Sequence, residues 1–325
     1  MRSAIRREFV CLLTLVFALS VGCSSPAPKP PKTVKTVTFI PNNYSNFWKV
    51  ARKGCEKADA ELADVNVNFK PVYGGTAVEQ NRFIREALEG DTDAIAISPI
   101  DSVGQKTTLN NAAKKAVLIT QDSDAPDSDR VLYIGADNRA AGRQAGELVK
   151  KALPQGGKIM VFVGKREVQN AQERFEGLKE ALQGSKVEIL DLMTDDTDPS
   201  KARDNAYQAW KQHPDIAGMV GLWSYNGPAI LSALRAENLV GKIKIVCFDD
   251  ERETLEAIKA GSIFGTVAQQ PYEYGYQAVQ AAAKILRGDK SVIPENKNIL
   301  VPTTVVQRDT VDDYISKQNK LIGGT

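Results

Sequence analysis

The side chains with chemistry to offer gather in short polar segments that follow apolar runs, at 42–48, 98–102, 121–126, 164–174, 223–228, 249–251 and 269–271. Asn, Ser, Gln, Asp and Arg are frequent there, and Tyr44, Phe47, Trp48, Trp223 and Tyr225 stand among them. Hydroxyl groups need paired donors and acceptors, while the C–H faces of a saturated ring pack on aromatic faces. The mixture therefore suits a neutral polyhydroxy ligand. Acid–base and metal chemistry are poorly served. His213 is the single histidine, and in Gln212-His213-Pro214 it reads as a helix end with proline beyond it rather than as a base. Asp195-Asp196-Thr197-Asp198 has the composition of a calcium loop but lacks the spaced glycine and the bidentate glutamate, so it reads as a loop entering a helix near Asp198 or Pro199. No phosphate-cradling glycine loop and no zinc-protease helix occurs. The expectation is a binding protein with no catalytic residue, no cofactor and no metal.

Those segments need strands to position them. Apolar runs end at Ile40, Val72, Ile97, Ile119, Ile134, Val163, Met193, Val220, Phe248 and Val267, and most lead through a polar loop into helical periodicity. The spacing predicts helices over 46–63, 77–88, 103–115, 139–152, 168–182, 200–211, 227–237, 252–260 and 271–287. Strand–helix alternation implies parallel sheets with right-handed crossovers, covered on both faces. Ligands of such sheets bind beyond the carboxyl ends of the strands, where the polar segments lie. A chain of 325 residues with so many strands implies two lobes rather than one. A weak internal repeat agrees. Val37-Thr38-Phe39-Ile40 is followed 14 residues on by Gly54, and Met160-Val161-Phe162-Val163 is followed 14 residues on by Gly177.

The N-terminus reads as an address. Arg2, Arg6 and Arg7 precede an apolar stretch from Phe9 to Val21, too short for a comfortable membrane span. It ends in Leu19-Ser20-Val21-Gly22-Cys23, which resembles a bacterial lipobox with Cys23 as the lipidated residue. Residues 1–22 are then a removed leader, and 23–32, with Pro26, Pro28, Pro30 and Pro31, a tether from a lipid anchor. The full chain has 42 basic and 40 acidic residues; the leader holds three Arg and one Glu, so the rest carries 39 of each and no net charge. Nothing in that balance points to nucleic acid. Of four cysteines, Cys11 leaves with the leader and Cys23 is the anchor, while Cys55 and Cys247 read as buried thiols.

The order of these pieces resembles the periplasmic sugar-binding proteins of the ribose/galactose-binding type, over roughly 34–307. The resemblance is carried by Phe39-Ile40-Pro41-Asn42-Asn43-Tyr44-Ser45-Asn46-Phe47-Trp48, Ile97-Ser98-Pro99-Ile100-Asp101, Ile119-Thr120-Gln121-Asp122, Gly135-Ala136-Asp137-Asn138, Glu173-Arg174-Phe175-Glu176-Gly177, Trp223-Ser224-Tyr225-Asn226, Cys247-Phe248-Asp249-Asp250 and Ala268-Gln269-Gln270-Pro271. It implies an α/β fold of two similar doubly wound parallel-sheet lobes joined by a three-segment hinge, the type I periplasmic-binding-protein fold. The crossovers fall near Ala136, Gln269 and Val301, which gives a first lobe of 33–136 plus 270–300 and a second of 137–269 plus 301–325.

The same resemblance implies a monomer that captures a small sugar or polyol between the lobes. It passes the ligand to the permease of an ABC importer, whose ATPase works on the far side of the membrane. Asp122 and Asp249 would accept ligand hydroxyls, one from each lobe, through charge-assisted bonds. Arg174 would pair with such a carboxylate and donate to the ligand; Asn226 and Gln269 would bind at the second lobe and the crossover. Phe47 or Trp48 would stack on the sugar, and Ser45 and Ser98 occupy positions that often hold Asn. Two departures from the ribose pattern put ribose itself in doubt. Ser123 follows the first Asp where an Arg is common, and Thr197 stands where an aromatic often closes the stack, a role open to Trp223 or Tyr225. Two other uses of the fold stay open: a sensor that reports to a chemoreceptor or kinase, and an exported enzyme with the two Asp as an acid–base pair.

Overall fold

A computed structural model describes residues 34–322. The leader, the lipidation site Cys23 and the tether lie outside the described residues. From Val34 onward the chain is one compact unit built on two six-stranded sheets. The first holds β1 (Lys35–Ile40), β2 (Val65–Phe69), β3 (Ala94–Ile97), β4 (Val117–Gln121), β5 (Leu132–Gly135) and β11 (Asn298–Leu300), ordered β11-β5-β4-β3-β1-β2. The second holds β6 (Gly157–Val163), β7 (Val187–Thr194), β8 (Ile216–Gly221), β9 (Lys244–Phe248), β10 (Gly265–Ala268) and β12 (Thr304–Val306), ordered β12-β10-β9-β8-β6-β7. The two orders are the same plan used twice: second, first, third, fourth and fifth strand, with a late strand added at the far edge.

Every pairing in the first sheet is parallel. In the second, β12 runs antiparallel to β10, which corrects the expectation of purely parallel sheets. The chain reaches β12 straight from β11 through only residues 301–303, so it enters the sheet from the opposite end. β2 stops at Phe69 rather than Val72, because Pro71 has no N–H for the ladder. The two three-residue strands and the last helix, α10 (Val311–Ile322), escape the sequence reading.

Side chains alternate between two apolar layers, as burial on both faces demands. Ala94 and Ala96 of β3 join one cluster, with Phe39, Trp48 and Tyr274, while Ile95 and Ile97 join another, with Ile84 and Leu109. In β6, Met160 and Phe162 face one cluster and Ile159, Val161 and Val163 the other. Cys55 and Cys247 are free, buried and in different clusters.

The repeat has a packing cause. Helix α1 (Asn46–Glu61) crosses α9 (Pro271–Leu286) in the first lobe, and α4 (Asn138–Ala152) crosses α5 (Gln169–Leu182) in the second. Glycines meet backbone at both crossings. A Cβ on Gly54 would lie 2.0 Å from the Tyr272 carbonyl oxygen, and one on Gly275 would lie 2.0 Å from that of Ala51. In the second lobe a Cβ on Gly142 would lie 2.1 Å from the Arg174 oxygen, and one on Gly177 2.0 Å from that of Arg139. We expect Gly54→Ala and Gly177→Ala each to lower unfolding free energy by about 1–3 kcal/mol, the cost of overpacking. The check is the urea midpoint; a midpoint unchanged in both variants would show that the helices do not approach this closely.

Candidate functional site

Three passages carry the chain between the sheets: β5 to α4, β10 to α9, and β11 to β12. Between the lobes lies a tight cavity with about 310 Å³ of empty space, counting the part that opens to solvent. Its walls come from the segment after β1, the ends of β4, β8 and β9, the first turns of α5, and the second passage.

The two carboxylates enter by the same device. Asp122 follows β4 with φ +59° and Asp249 follows β9 with φ +66°, both left-handed and both after the fourth strand of their lobe. Each still donates its N–H to the neighbouring strand, Asp122 to the Ile134 carbonyl (3.1 Å) and Asp249 to that of Val267 (2.9 Å). The backbone therefore turns while the ladder is still engaged. Among non-glycine residues Asp tolerates this conformation well.

Both carboxyls are buried. Asp122 Oδ2 accepts from Ser98 Oγ (2.8 Å), Asn42 Nδ2 (3.3 Å) and Asn170 Nδ2 (3.3 Å). Asp249 Oδ1 accepts from Gln269 Nε2 (2.8 Å), and Gln269 Oε1 accepts from Tyr274 (3.1 Å). Burial raises the pKa of Asp122 against the pull of Arg174 and of the Ser98 and Asn170 bonds. Burial likewise pushes Asp249 up to about 7, with Arg174 and Gln269 opposing.

Arg174, 1% exposed, stands between them electrostatically but pairs with neither. Its Nε donates to Asn138 Oδ1 (3.0 Å), its Nη1 donates to the Leu222 carbonyl (2.8 Å), and its guanidinium lies 4.7 Å from the Phe248 ring centre. Its Nη2 is buried with no partner among the described residues. The expected pairing of Arg174 with a carboxylate is thus replaced by a cation held on a side-chain amide, a carbonyl and a ring, with one nitrogen left over.

Aromatic side chains line the cavity from both lobes. Phe47 and Trp48 meet edge to face, with centres 5.0 Å apart, and Trp48 Nε1 donates to Asn42 Oδ1 (3.0 Å). Trp223 and Tyr225 face them from the second lobe, and Trp223 Nε1 donates to Asn170 Oδ1 (3.2 Å).

The structure therefore brings Asp122, Asp249, Arg174, Gln269, Phe47, Trp48, Ser45, Trp223 and Tyr225 to one cavity. Three other candidates do not line it. Ser98 sits behind Asp122 and holds it. Asn226 accepts from the Trp223 N–H (3.0 Å) and donates to Asp195 Oδ2 (3.0 Å), so both ends of its amide are used inside the protein. Thr197 borders the space next to the cavity, where its N–H donates to Asp195 Oδ1 (2.9 Å). Asp195 also accepts from Tyr225, and Asp198 caps α6 (Pro199–Gln212), so the calcium-like run is a helix entry.

Asn42, Asn43, Asn170 and Ser224 line the cavity and were missed as individual residues. Asn170 carried a signal: it lies four residues before Arg174 on one helix and hence on the same face. Asn42 carried none, because Asn42, Asn43 and Asn46 differ only in what the turn does with them.

In sequence, the pattern of a periplasmic binding protein domain matches residues 37–290. The ribose import binding protein of Salmonella typhimurium is 29% identical over 283 residues, which cover 86% of this chain and 93% of that protein. Among solved structures, an ABC transporter solute-binding protein of Burkholderia graminis in complex with D-arabinose has a TM-score of 0.82 at 26% identity, covering 88% of this chain and 99% of the other. A solute-binding protein of Agrobacterium vitis bound with α-D-tagatopyranose has a TM-score of 0.81 at 26% identity, covering 87% and 98%.

Asp249 also sets a pH dependence. A carboxyl whose pKa is higher in the folded than in the unfolded chain contributes stability below the unfolded value, near 4, and that contribution is lost as pH rises through the folded value, about 7. Asp249→Asn keeps the bond from Gln269 and removes the titration. We expect its stability to gain on the wild type from pH 4 to pH 8, read by urea unfolding across that range. A constant difference between the two proteins would contradict the assignment.

Proposed function

The chain belongs to the periplasmic binding protein domain family, and on that premise we propose that it captures one small neutral sugar or polyol between its lobes and delivers it to the permease of an ABC importer. The observation that carries this reading is the pairing of two buried carboxylates, one per lobe, with a buried cation that keeps an unused donor, all within an aromatic-walled cavity. The bonds that hold Asp122 fall on Oδ2 and the one that holds Asp249 falls on Oδ1, which leaves an oxygen of each for ligand hydroxyls. Arg174 Nη2 donates to a ring or hydroxyl oxygen. Phe47 or Trp48 and Trp223 take the C–H faces of the ring.

A ligand that bonds to both Asp122 and Asp249 is fully held only when the lobes are together, so binding shifts the protein toward closure. The lobes divide near Ala136, Gln269 and Val301, and the closed face is what the permease reads. Cys23, lipidated after removal of residues 1–22, and the proline-rich segment to 32 tether the body outside the cytoplasm. The protein does no chemistry on the sugar: both site carboxyls serve as acceptors.

The test is a thermal-shift screen against D-ribose, D-arabinose, D-tagatose, D-allose and D-fructose, since a cognate ligand raises the melting temperature by mass action, followed by calorimetric titration of the best binder. We expect a dissociation constant on the order of micromolar, equivalent to about −8 kcal/mol. Asp122→Ala and Asp249→Ala should each weaken binding by roughly 100-fold, the scale of a lost charge-assisted bond, with the fold kept. A normal titration by either variant would remove that residue from the site.

A further inference from the structure

Two grooves flank the cavity, and both are bordered by Asn46 and Glu251, whose side chains bond across the lobes (Asn46 Nδ2 to Glu251 Oε2, 2.8 Å). They differ in chemistry. One is walled by Phe47, Val50, Leu255 and Ile315, with charged side chains of α1 and α8 (Arg252–Ala260) at its rim, and by α10. The other holds about 1200 Å³ open to solvent and carries two exposed tyrosines, Tyr44 (54% exposed) and Tyr73 (68% exposed). Their ring centres are 4.8 Å apart, and the Lys49 ammonium lies 5.5 Å from the Tyr44 ring. Tyr44 is thus engaged by a ring and a cation, while Tyr73 presents open aromatic surface.

The tyrosine groove adjoins the cavity. Asn43, Ser45 and Tyr225 form part of both walls. At this junction Asn43 Nδ2 is committed to Asn42 Oδ1 (2.8 Å), whereas Asn43 Oδ1 is buried with no partner among the described residues. A buried acceptor without a donor costs free energy that a ligand hydroxyl can recover.

We propose that this groove is a second subsite and that the ligand class extends to glycosides: one sugar ring in the cavity, the linkage passing Asn43, and the attached unit lying against Tyr73. The proposal rests on the sugar-binding reading of the cavity. The open tyrosine face suits either the C–H face of a second sugar or an aromatic aglycone, because both pack on an aromatic ring. The groove's polar rim leaves the attached unit hydrated on its outer side.

The experiment titrates D-ribose, D-arabinose and D-tagatose, with both anomers of their phenyl glycosides, into the wild type and into Tyr73→Ala and Tyr44→Ala by calorimetry. Both tyrosines are exposed, so the variants keep the fold, and circular dichroism checks this. We expect one phenyl glycoside to bind the wild type within about tenfold of its parent sugar. Tyr73→Ala should weaken that glycoside by fivefold or more while the parent sugar changes less than twofold. The proposal is overturned if a parent sugar binds but neither of its glycosides does, or if the tyrosine variants move sugar and glycoside by the same factor or move neither. If no sugar and no glycoside binds the wild type, the sugar-binding reading falls first and this one with it.

Discussion

Two carboxylates buried in one cavity lose their hydration and repel each other, and most of the interior near the cleft answers that constraint. Burial drives both pKa values upward, and Asp122 adds to the rise at Asp249. The remedy is a single buried cation that touches neither. Arg174 lowers both values from a distance, which leaves its remaining donor and their remaining oxygens unspent. A direct Arg–Asp pair would neutralise one carboxylate and use up the atoms that a ligand needs. Holding Arg174 in place has its own requirements, met by Asn138, the Leu222 carbonyl and the Phe248 ring. The first of these opens α4, directly after a passage between the lobes. Gln269, which holds Asp249, sits on another passage and is itself held by Tyr274 of α9. The cavity and the passages between the sheets therefore share supporting residues.

The duplication of plan makes this arrangement economical. Each lobe ends its fourth strand in a left-handed Asp whose N–H still serves the fifth strand. Each lobe crosses two helices at paired glycines, so closely that a single methyl would collide with a carbonyl. Two copies of one solution bring two carboxyls to one cavity. The lobes differ in what supports the Asp: a hydroxyl and side-chain amides around Asp122, a glutamine from the passage behind Asp249. That asymmetry makes the two ends of the cavity chemically distinct.

Much of this was legible in the residues. Short apolar runs located ten of the strands and period-3.6 patterns nine of the helices, since long buried elements leave a strong pattern. The glycines fourteen residues after Ile40 and Val163 proved to be equivalent crossing points. Elements of three residues left no periodicity to read, so β11 and β12 were missed, and the antiparallel edge with them. At the cavity, residue types and loop positions were sound guides to the charged and aromatic groups but poor guides to the amides. Ser98 and Asn226 have the right chemistry and the right loops, yet their bonds turn inward to hold Asp122 and Asp195. Sequence position tells which strand end a side chain leaves from; whether it faces the ligand or its neighbour depends on one or two backbone torsions.

Three hydrogen bonds that join the lobes are individually weak. Asn46 to Glu251 is an exposed bond, Lys165 Nζ to the Gly75 carbonyl (3.1 Å) is half-buried, and Asn170 to Asp122 is a long bond at 3.3 Å. Net of solvent, such bonds contribute about 1 kcal/mol each or less, and exposed polar pairs still less. Together they fall short of the roughly 5.5 kcal/mol needed to carry a two-state equilibrium from one extreme to the other. Only the difference in a ligand's affinity for the two arrangements shifts the balance between them, and groups from both lobes line the cavity. In the function proposed above, closure then reports occupancy.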